Sequence, residues 1–260
     1  MNLKINVSLD YQLGDPVDLM LQIEAAQIPE QIVSDTFLDV GAFDHFARVP
    51  GIDDIGERIW LRSAGQLSVR YSATVAINRI VTDYRCLDAV PMHLLPGATV
   101  QYLNESRYCP SNKFVSFVEN EFAVFQGGAK VDAIRDWIAS RFRYVAGSSD
   151  TETTALDSFV ERRGVCRDYA HVLVSLVRAA SIPARVASVY APDVEPQDFH
   201  AVGEVFLGGE WHLVDATGMA SEAEMVKIGV GRDAADIAFL TAYGSIEMRN
   251  QIVTVERIGG

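Results

Sequence analysis

The sequence predicts an α+β protein in which an antiparallel β-sandwich precedes a unit of mixed helices and strands. Three observations predict it: short apolar runs with turn residues between them over roughly the first 118 residues, a change of period around Gln126–Gly128, and an amphipathic helix starting at Cys166 that leads into a hairpin.

The elements follow in chain order. KINVSLDYQL, LMLQIEAAQI, ERIWLRSAGQLSVRYSATVAI and KFVSFVENEF read as strands of a sandwich. Beyond Gly128, Val131, Ile134, Ile138 and Phe142 fall at steps of three and four, which predicts a helix ending near Arg143. After Cys166 the same spacing recurs at Tyr169, Val172, Leu173, Leu176, Val177 and Ala180, so a second helix with one buried face is expected. FHAVGEVFLGGEWHLVDAT reads as two strands joined by Gly208–Gly209, a dipeptide that accepts the positive φ angles of a tight turn. The expected organisation is a β-sandwich over residues 1–122, a second domain over 123–240, and a carboxy-terminal strand or hairpin over 241–260 that packs back on the first.

Chemistry concentrates in the second domain. Cys166 lies in the first turn of its helix, where unpaired amides and the positive end of the helix dipole favour thiolate over thiol. Arg162, Arg163 and Arg167 stand nearby, either as solvated side chains or as an attraction for a carboxylate-bearing substrate. With Gly208–Gly209 as the turn, Leu207 faces Glu210 and Val202 faces Asp215. His200 and Asp215 then become diagonal neighbours on one face, roughly 7 Å apart at Cβ. His212 falls on the opposite face, and His171 lies about 140° around the helix from Cys166. Cys166, His200 and Asp215 are therefore the candidate nucleophile, base and orienting carboxylate. Tyr144 reads either as a packed aromatic or as a hydroxyl that helps to bind an oxyanion.

GVCRDYAHVLVSLVRAASIPARV around Cys166, FHAVGEVFLGGEW around His200 and VDAT around Asp215 resemble the transglutaminase-like superfamily, which includes transglutaminases, peptide N-glycanases and many bacterial cysteine proteases. The resemblance covers roughly residues 125–235; GRDAADIAF (Gly231–Phe239) resembles a stretch that follows the core in bacterial members, and SRYCPS (Ser106–Ser111) resembles part of their amino-terminal β domain. It implies a papain-like core, with Cys166 as nucleophile, His200 as general base and then acid, and Asp215 fixing the imidazole tautomer. Where many relatives carry a tryptophan two residues after the histidine, this chain has Val202. Aromatic cover of the imidazole is then missing or comes from elsewhere, with Trp211 and Phe206 as candidates.

Composition bounds the rest. A 49% apolar content suits a globular fold, and three cysteines, an odd number, speak against a disulfide framework; Cys86 and Cys109 are expected to be structural. No signal-peptide core or membrane-spanning run is visible, so a cytoplasmic location is expected. A net charge of −13 argues against nucleic acid or an anionic membrane as partner. No phosphate loop or metal spacing is present, and no cofactor is expected. The expected activity is hydrolysis of peptide or side-chain amide bonds in a protein or peptide substrate, because water is the default acyl acceptor at an open site. Amine transfer to glutamine and a noncatalytic binding module that keeps the fold remain the alternatives.

Overall fold

Strict alternation builds the first half of the chain. The structure, a computed structural model, describes residues 1–259. In β1 (Asn2–Leu13), Leu3, Ile5, Val7, Leu9, Tyr11 and Leu13 are buried, and every second residue faces out. The strands β2 (Val17–Leu21), β3 (Gln31–Asp39), β4 (His45–Pro50), β5 (Glu57–Ser63) and β6 (Gln66–Ile77) follow, with Leu67, Val69, Tyr71, Ala73 and Val75 of β6 turned to the same core.

KFVSFVENEF, expected as a strand, instead forms a turn and α1 (Val115–Glu121). Phe114, Val118 and Phe122 recur every four residues and pack together with Val131, Ile134 and Ile138 of α2 (Gly127–Arg141). A spacing of four keeps all three groups on one side of a helix, and it would also keep them on one face of a strand, so it does not separate the two. β7 (Arg143–Tyr144), α3 (Ala155–Glu161), β8 (Arg163–Gly164), α4 (Cys166–Ala179), β9 (Ala184–Tyr190), β10 (His200–Leu207) and β11 (Glu210–Val214) come next. They are followed by β12 (Val226–Gly231), α5 (Ala234–Ile237), β13 (Leu240–Ala242) and β14 (Ile246–Ile258).

Two sheets, ordered β14-β1-β6-β3 and β13-β2-β5-β4, enclose one apolar core and form the sandwich. β14 closes the first sheet by pairing antiparallel with β1 along its length. A third sheet, β11-β10-β9-β12, carries α4 across one face: Leu173 sits so close to Gly203 that a Cβ there would fall 2.7 Å from its methyl. The fold is thus α+β, a helix-backed antiparallel sheet beside an antiparallel sandwich.

α4 is buried on all sides rather than along one stripe. His171, Ser175 and Arg178, which read as a wet face, are covered by the loop around Ser106 and by the turn after β12. Arg178 donates to Asn104 O at 3.1 Å, Ser106 Oγ at 3.1 Å and Arg232 O at 2.6 Å. Loops that supply carbonyl acceptors make a polar helix face as buriable as an apolar one.

The sandwich and the third sheet are joined by close packing. Tyr190, Val226 and Ile228 enter the sandwich core. Gly56, at φ +73°, passes so near β12 that a Cβ would lie 2.0 Å from Ile228 O, so only glycine fits. Among the described residues no helix is long and apolar enough to cross a membrane.

Candidate active site

Local sequence fixes the start of α4. Val165 is extended, and the Asp168 carboxylate, in the first turn, accepts the Val165 N–H at 2.8 Å. A side chain at Gly164 would place its Cβ 2.5 Å from Asp168 Cβ, which accounts for the glycine two residues before the cysteine. Cys166 is the first residue of the helix and is partly exposed. Its own amide and that of Arg167 precede the first intrahelical bond and remain free to donate.

The three arginines have structural partners. Arg162, in the left-handed region at φ 56°, lays its guanidinium over Phe159 at 4.1 Å and Trp137 at 4.3 Å. Arg163 pairs with Glu161 at 2.8 Å, and Arg167 donates to Asp150 O at 2.7 Å and Ser149 Oγ at 3.1 Å. Arg163 is solvent-exposed, whereas Arg162 and Arg167 are held against these partners and do not stand as a free cluster.

The hairpin register is the one the Gly208–Gly209 turn dictates, with Leu207 opposite Glu210 and Val205 opposite His212. His200, buried at the head of β10, brings Nε2 to 3.0 Å from Asp215 Oδ2. Its Nδ1 is buried without another hydrogen-bond partner and is left for Cys166. Burial alone would lower the imidazole pKa, but the hydrogen bond to Asp215 and the neighbouring Cys166 side chain outweigh it and push it up to about 9. Asp215 in turn accepts from Thr217 N at 2.8 Å, Thr217 Oγ1 at 2.7 Å, Met219 N at 3.1 Å and Ala220 N at 2.9 Å. Burial works to raise its pKa, and these donors together with His200 hold it below the usual value.

The competing groups lie elsewhere. His212 Nε2 donates to Leu207 O, and His171 is stacked on Tyr108 with ring centroids 5.3 Å apart. Burial drives the His171 pKa down to about 3, and the neutral ring accepts Ala234 N at 3.1 Å. Cys109 is fully buried with its thiol pushed up to about 12 by desolvation, whereas Cys86 lies exposed. Trp211 and Phe206 do not cover the imidazole. Phe206 sits six residues along β10, about 20 Å away, and Trp211, paired with it on β11, stacks under Arg185 at 4.0 Å. Val202 packs with Ala187, Val189 and Leu213 instead.

The parallel pair β7–β8 sets Tyr144 beside Gly164 and thereby against Cys166. Its phenol is pushed up to about 12, first by burial and then by charge on Cys166, and stays protonated. A cleft of about 750 Å³ opens at Cys166 and His200; its walls include Tyr108, Asp198, Phe239 and Leu240. Sequence reasoning did not assign these wall residues, although two segments it singled out meet here. The Asp233 carboxylate accepts Tyr108 N at 3.0 Å and Ala235 N at 3.0 Å, tying Ser106–Ser111 to Gly231–Phe239. Among the described residues no group of three or more His, Cys, Asp or Glu side chains is placed to hold a metal ion.

A cysteine at a helix start, facing an imidazole that a carboxylate orients across a hairpin, in a core flanked by a β-sandwich, defines a papain-like α+β class. Within that class the chain belongs to the transglutaminase-like superfamily, whose family model matches residues 116–216. The crystal structure of a Cytophaga hutchinsonii protein named "Putative Cysteine Protease" superposes with a TM-score of 0.93 at 33% identity, over 100% of this chain and 91% of that one. An uncharacterized protein of Mycobacterium leprae is 29% identical over 148 residues, 53% of this chain and 53% of its own length. Another, of Mycobacterium tuberculosis, is 28% identical over 144 residues, 48% of this chain and 46% of its own. The chain thus spans about half the length of the curated relatives it matches.

Proposed function

We propose that the protein is a cysteine-dependent hydrolase acting on peptide or side-chain amide bonds through a thioester. The observation that carries this reading is the two-sided imidazole of His200, bonded at Nε2 to Asp215 at 3.0 Å and leaving Nδ1 to Cys166. Cys166 gives up its thiol proton to Nδ1 of His200, whose pKa is pushed up to about 9. Its sulfur attacks the amide carbonyl. In this reading the Cys166 amide and the protonated Tyr144 hydroxyl donate to the oxyanion. His200 passes its proton to the leaving nitrogen as the C–N bond breaks, leaving the thioester. His200 then accepts a proton from water as the water oxygen attacks, and the acid departs with the thiolate restored.

Water as the acyl acceptor is supported by the partial exposure of Cys166 at an open cleft. The free thiol of exposed Cys86 favours a reducing compartment, and we place the protein in the cytoplasm on that ground.

The test is the pH dependence of Cys166 alkylation by iodoacetamide, followed by intact mass, in the native chain and in His200→Ala. Fast labelling well below the ordinary thiol pKa of about 8.5, shifted upward in the variant, is the expected result; slow labelling indifferent to His200 would sink the reading. Incubation of casein with a labelled primary amine separates hydrolysis, which yields fragments and no label, from amine transfer.

Tyr144→Phe is expected to lower hydrolysis of fluorescein-labelled casein by roughly 10²-fold, the usual cost of one oxyanion donor, while leaving the alkylation midpoint of Cys166 in place. An unchanged hydrolysis rate would remove Tyr144 from the oxyanion site and leave it a packed aromatic.

A further inference from the structure

β13 is the edge strand of its sheet and one wall of the cleft that holds Cys166 and His200. Its pairing with β2 sets Leu240 opposite Leu21, Thr241 opposite Met20 and Ala242 opposite Leu19. Gln22 N donates to Phe239 O at 2.9 Å, and Tyr243 N donates to Asp18 O at 2.9 Å. In an antiparallel ladder the hydrogen-bonded positions alternate, so 239, 241 and 243 turn their main-chain groups to β2. The N–H and C=O of Leu240 and Ala242 therefore point away from β2, and none of them has a partner among the described residues. Their side chains meanwhile pack against the sandwich core, which holds the strand in place.

The position of this free edge is what gives it a use. Phe239, immediately before β13, stacks on Phe199, immediately before His200, with ring centroids 4.4 Å apart and planes 7° apart. The free main-chain groups thus begin beside the imidazole and run along the cleft. A bare edge is ordinarily blunted by charge, proline or a covering loop, yet Leu240, Thr241 and Ala242 carry none of these.

We propose that the substrate is a peptide segment in extended conformation that adds to the free edge of β13, its main chain pairing with Leu240 and Ala242 while its scissile bond is presented to Cys166. This deepens the proposed function and rests on Cys166 being a nucleophile toward peptides. Recognition is then carried by main-chain hydrogen bonds and depends on length and extension more than on any one side chain.

The test uses acetylated alanine peptides of one to five residues ending in a vinyl sulfone, with Cys166 labelling read by intact mass in the full chain. Labelling is expected to quicken about 10-fold or more from one to four residues, as two to four weak hydrogen bonds are added. N-methylation of alternate peptide nitrogens in the same probes should erase that gain on the native protein, which needs no variant to fold. Ala242→Pro removes one outward N–H without touching a bond to β2, a substitution edge strands tolerate. It should diminish the gain with length and leave iodoacetamide labelling unchanged.

A length gain that survives both N-methylation and Ala242→Pro overturns the edge-pairing proposal while the nucleophile stands, as does the absence of any gain with length. An Ala242→Pro protein that changes from dimer to monomer in sedimentation, with unaltered probe rates, overturns it in favour of a second copy on this edge. Iodoacetamide labelling that shows no activated thiol overturns the proposed function itself, and the substrate proposal with it.

Discussion

Asp215→Ala is expected to reduce Cys166 alkylation at pH 6 by up to about 300-fold, the ratio between a full thiolate and the ionised fraction of an unassisted thiol of pKa about 8.5. Hydrolysis of labelled casein should fall by about 10³- to 10⁴-fold, as when the orienting carboxylate of a triad is lost. Opposed influences act on His200. Burial lowers its pKa, and the hydrogen bond it donates to Asp215 and the proximity of Cys166 lift it to about 9. Without Asp215 the desolvated ring loses its largest support, the imidazolium is no longer held near neutrality, and the proton returns to sulfur.

The sign in pH follows. A histidine raised in the folded state contributes stability fully below its unfolded value of about 6.5. That contribution fades as pH rises through about 9. The alkaline limb of activity in the native protein should fall near that value and move downward in the variant. Asp215→Asn fares little better, since Thr217 N, Thr217 Oγ1, Met219 N and Ala220 N all donate toward the carboxylate, and an amide group must turn its NH₂ toward one or more of them. An alkylation profile in Asp215→Ala that overlays the native one would show that the carboxylate only holds its turn.

What could be read from the sequence was local. The helix start at Cys166 is written in the three- and four-residue spacing after it, and the register that sets His200 beside Asp215 depends on two glycines alone. The sandwich was legible for the same reason, since alternation in β1, β5 and β6 is strict. KFVSFVENEF misled because Val115 and Phe117 imitate alternation, and Phe114, Val118 and Phe122, four residues apart, share one face under either period. The all-round burial of α4 was hidden because it depends on the loop around Ser106 and the turn after β12, more than fifty residues away on either side. Tyr144 sits against Cys166 only through the short parallel pair with β8, which no periodicity announces.

The charges inside β9, β10 and β12 were likewise silent in the sequence, and they give rise to the largest effect on stability. Glu204→Gln is expected to cost about 3–5 kcal/mol, the usual result of stranding buried charge, measured as a shift in the urea midpoint at pH 7. Glu204 is fully buried and bonded to Arg185 Nε at 2.6 Å and to Lys227 Nζ. Lys227 also meets Glu30 at 2.6 Å, Arg185 meets Asp53 at 2.7 Å, and Glu30 meets Arg79 at 3.1 Å. Arg79, Arg185 and Lys227 are thus balanced by Glu30, Asp53 and Glu204, three of each sign, in a cluster that ties loops of the sandwich to the third sheet. Removing one carboxylate leaves an uncompensated positive charge where water cannot reach it.

Burial by itself raises the Glu204 pKa, yet Lys227 and Arg185 bring it down to about 2. For a depressed carboxyl the stabilisation is present above the unfolded value of about 4.3 and is lost as pH falls through the folded one. The gap between native protein and variant should therefore narrow as pH falls from 4 toward 2. Pairing Glu204→Gln with Lys227→Met restores neutrality in the cluster, so the double variant should lose less than the sum of the two single losses. Losses that simply add would mean that the six groups act as separate surface pairs, and the neutral cluster would cease to explain how the two halves of the chain are held together.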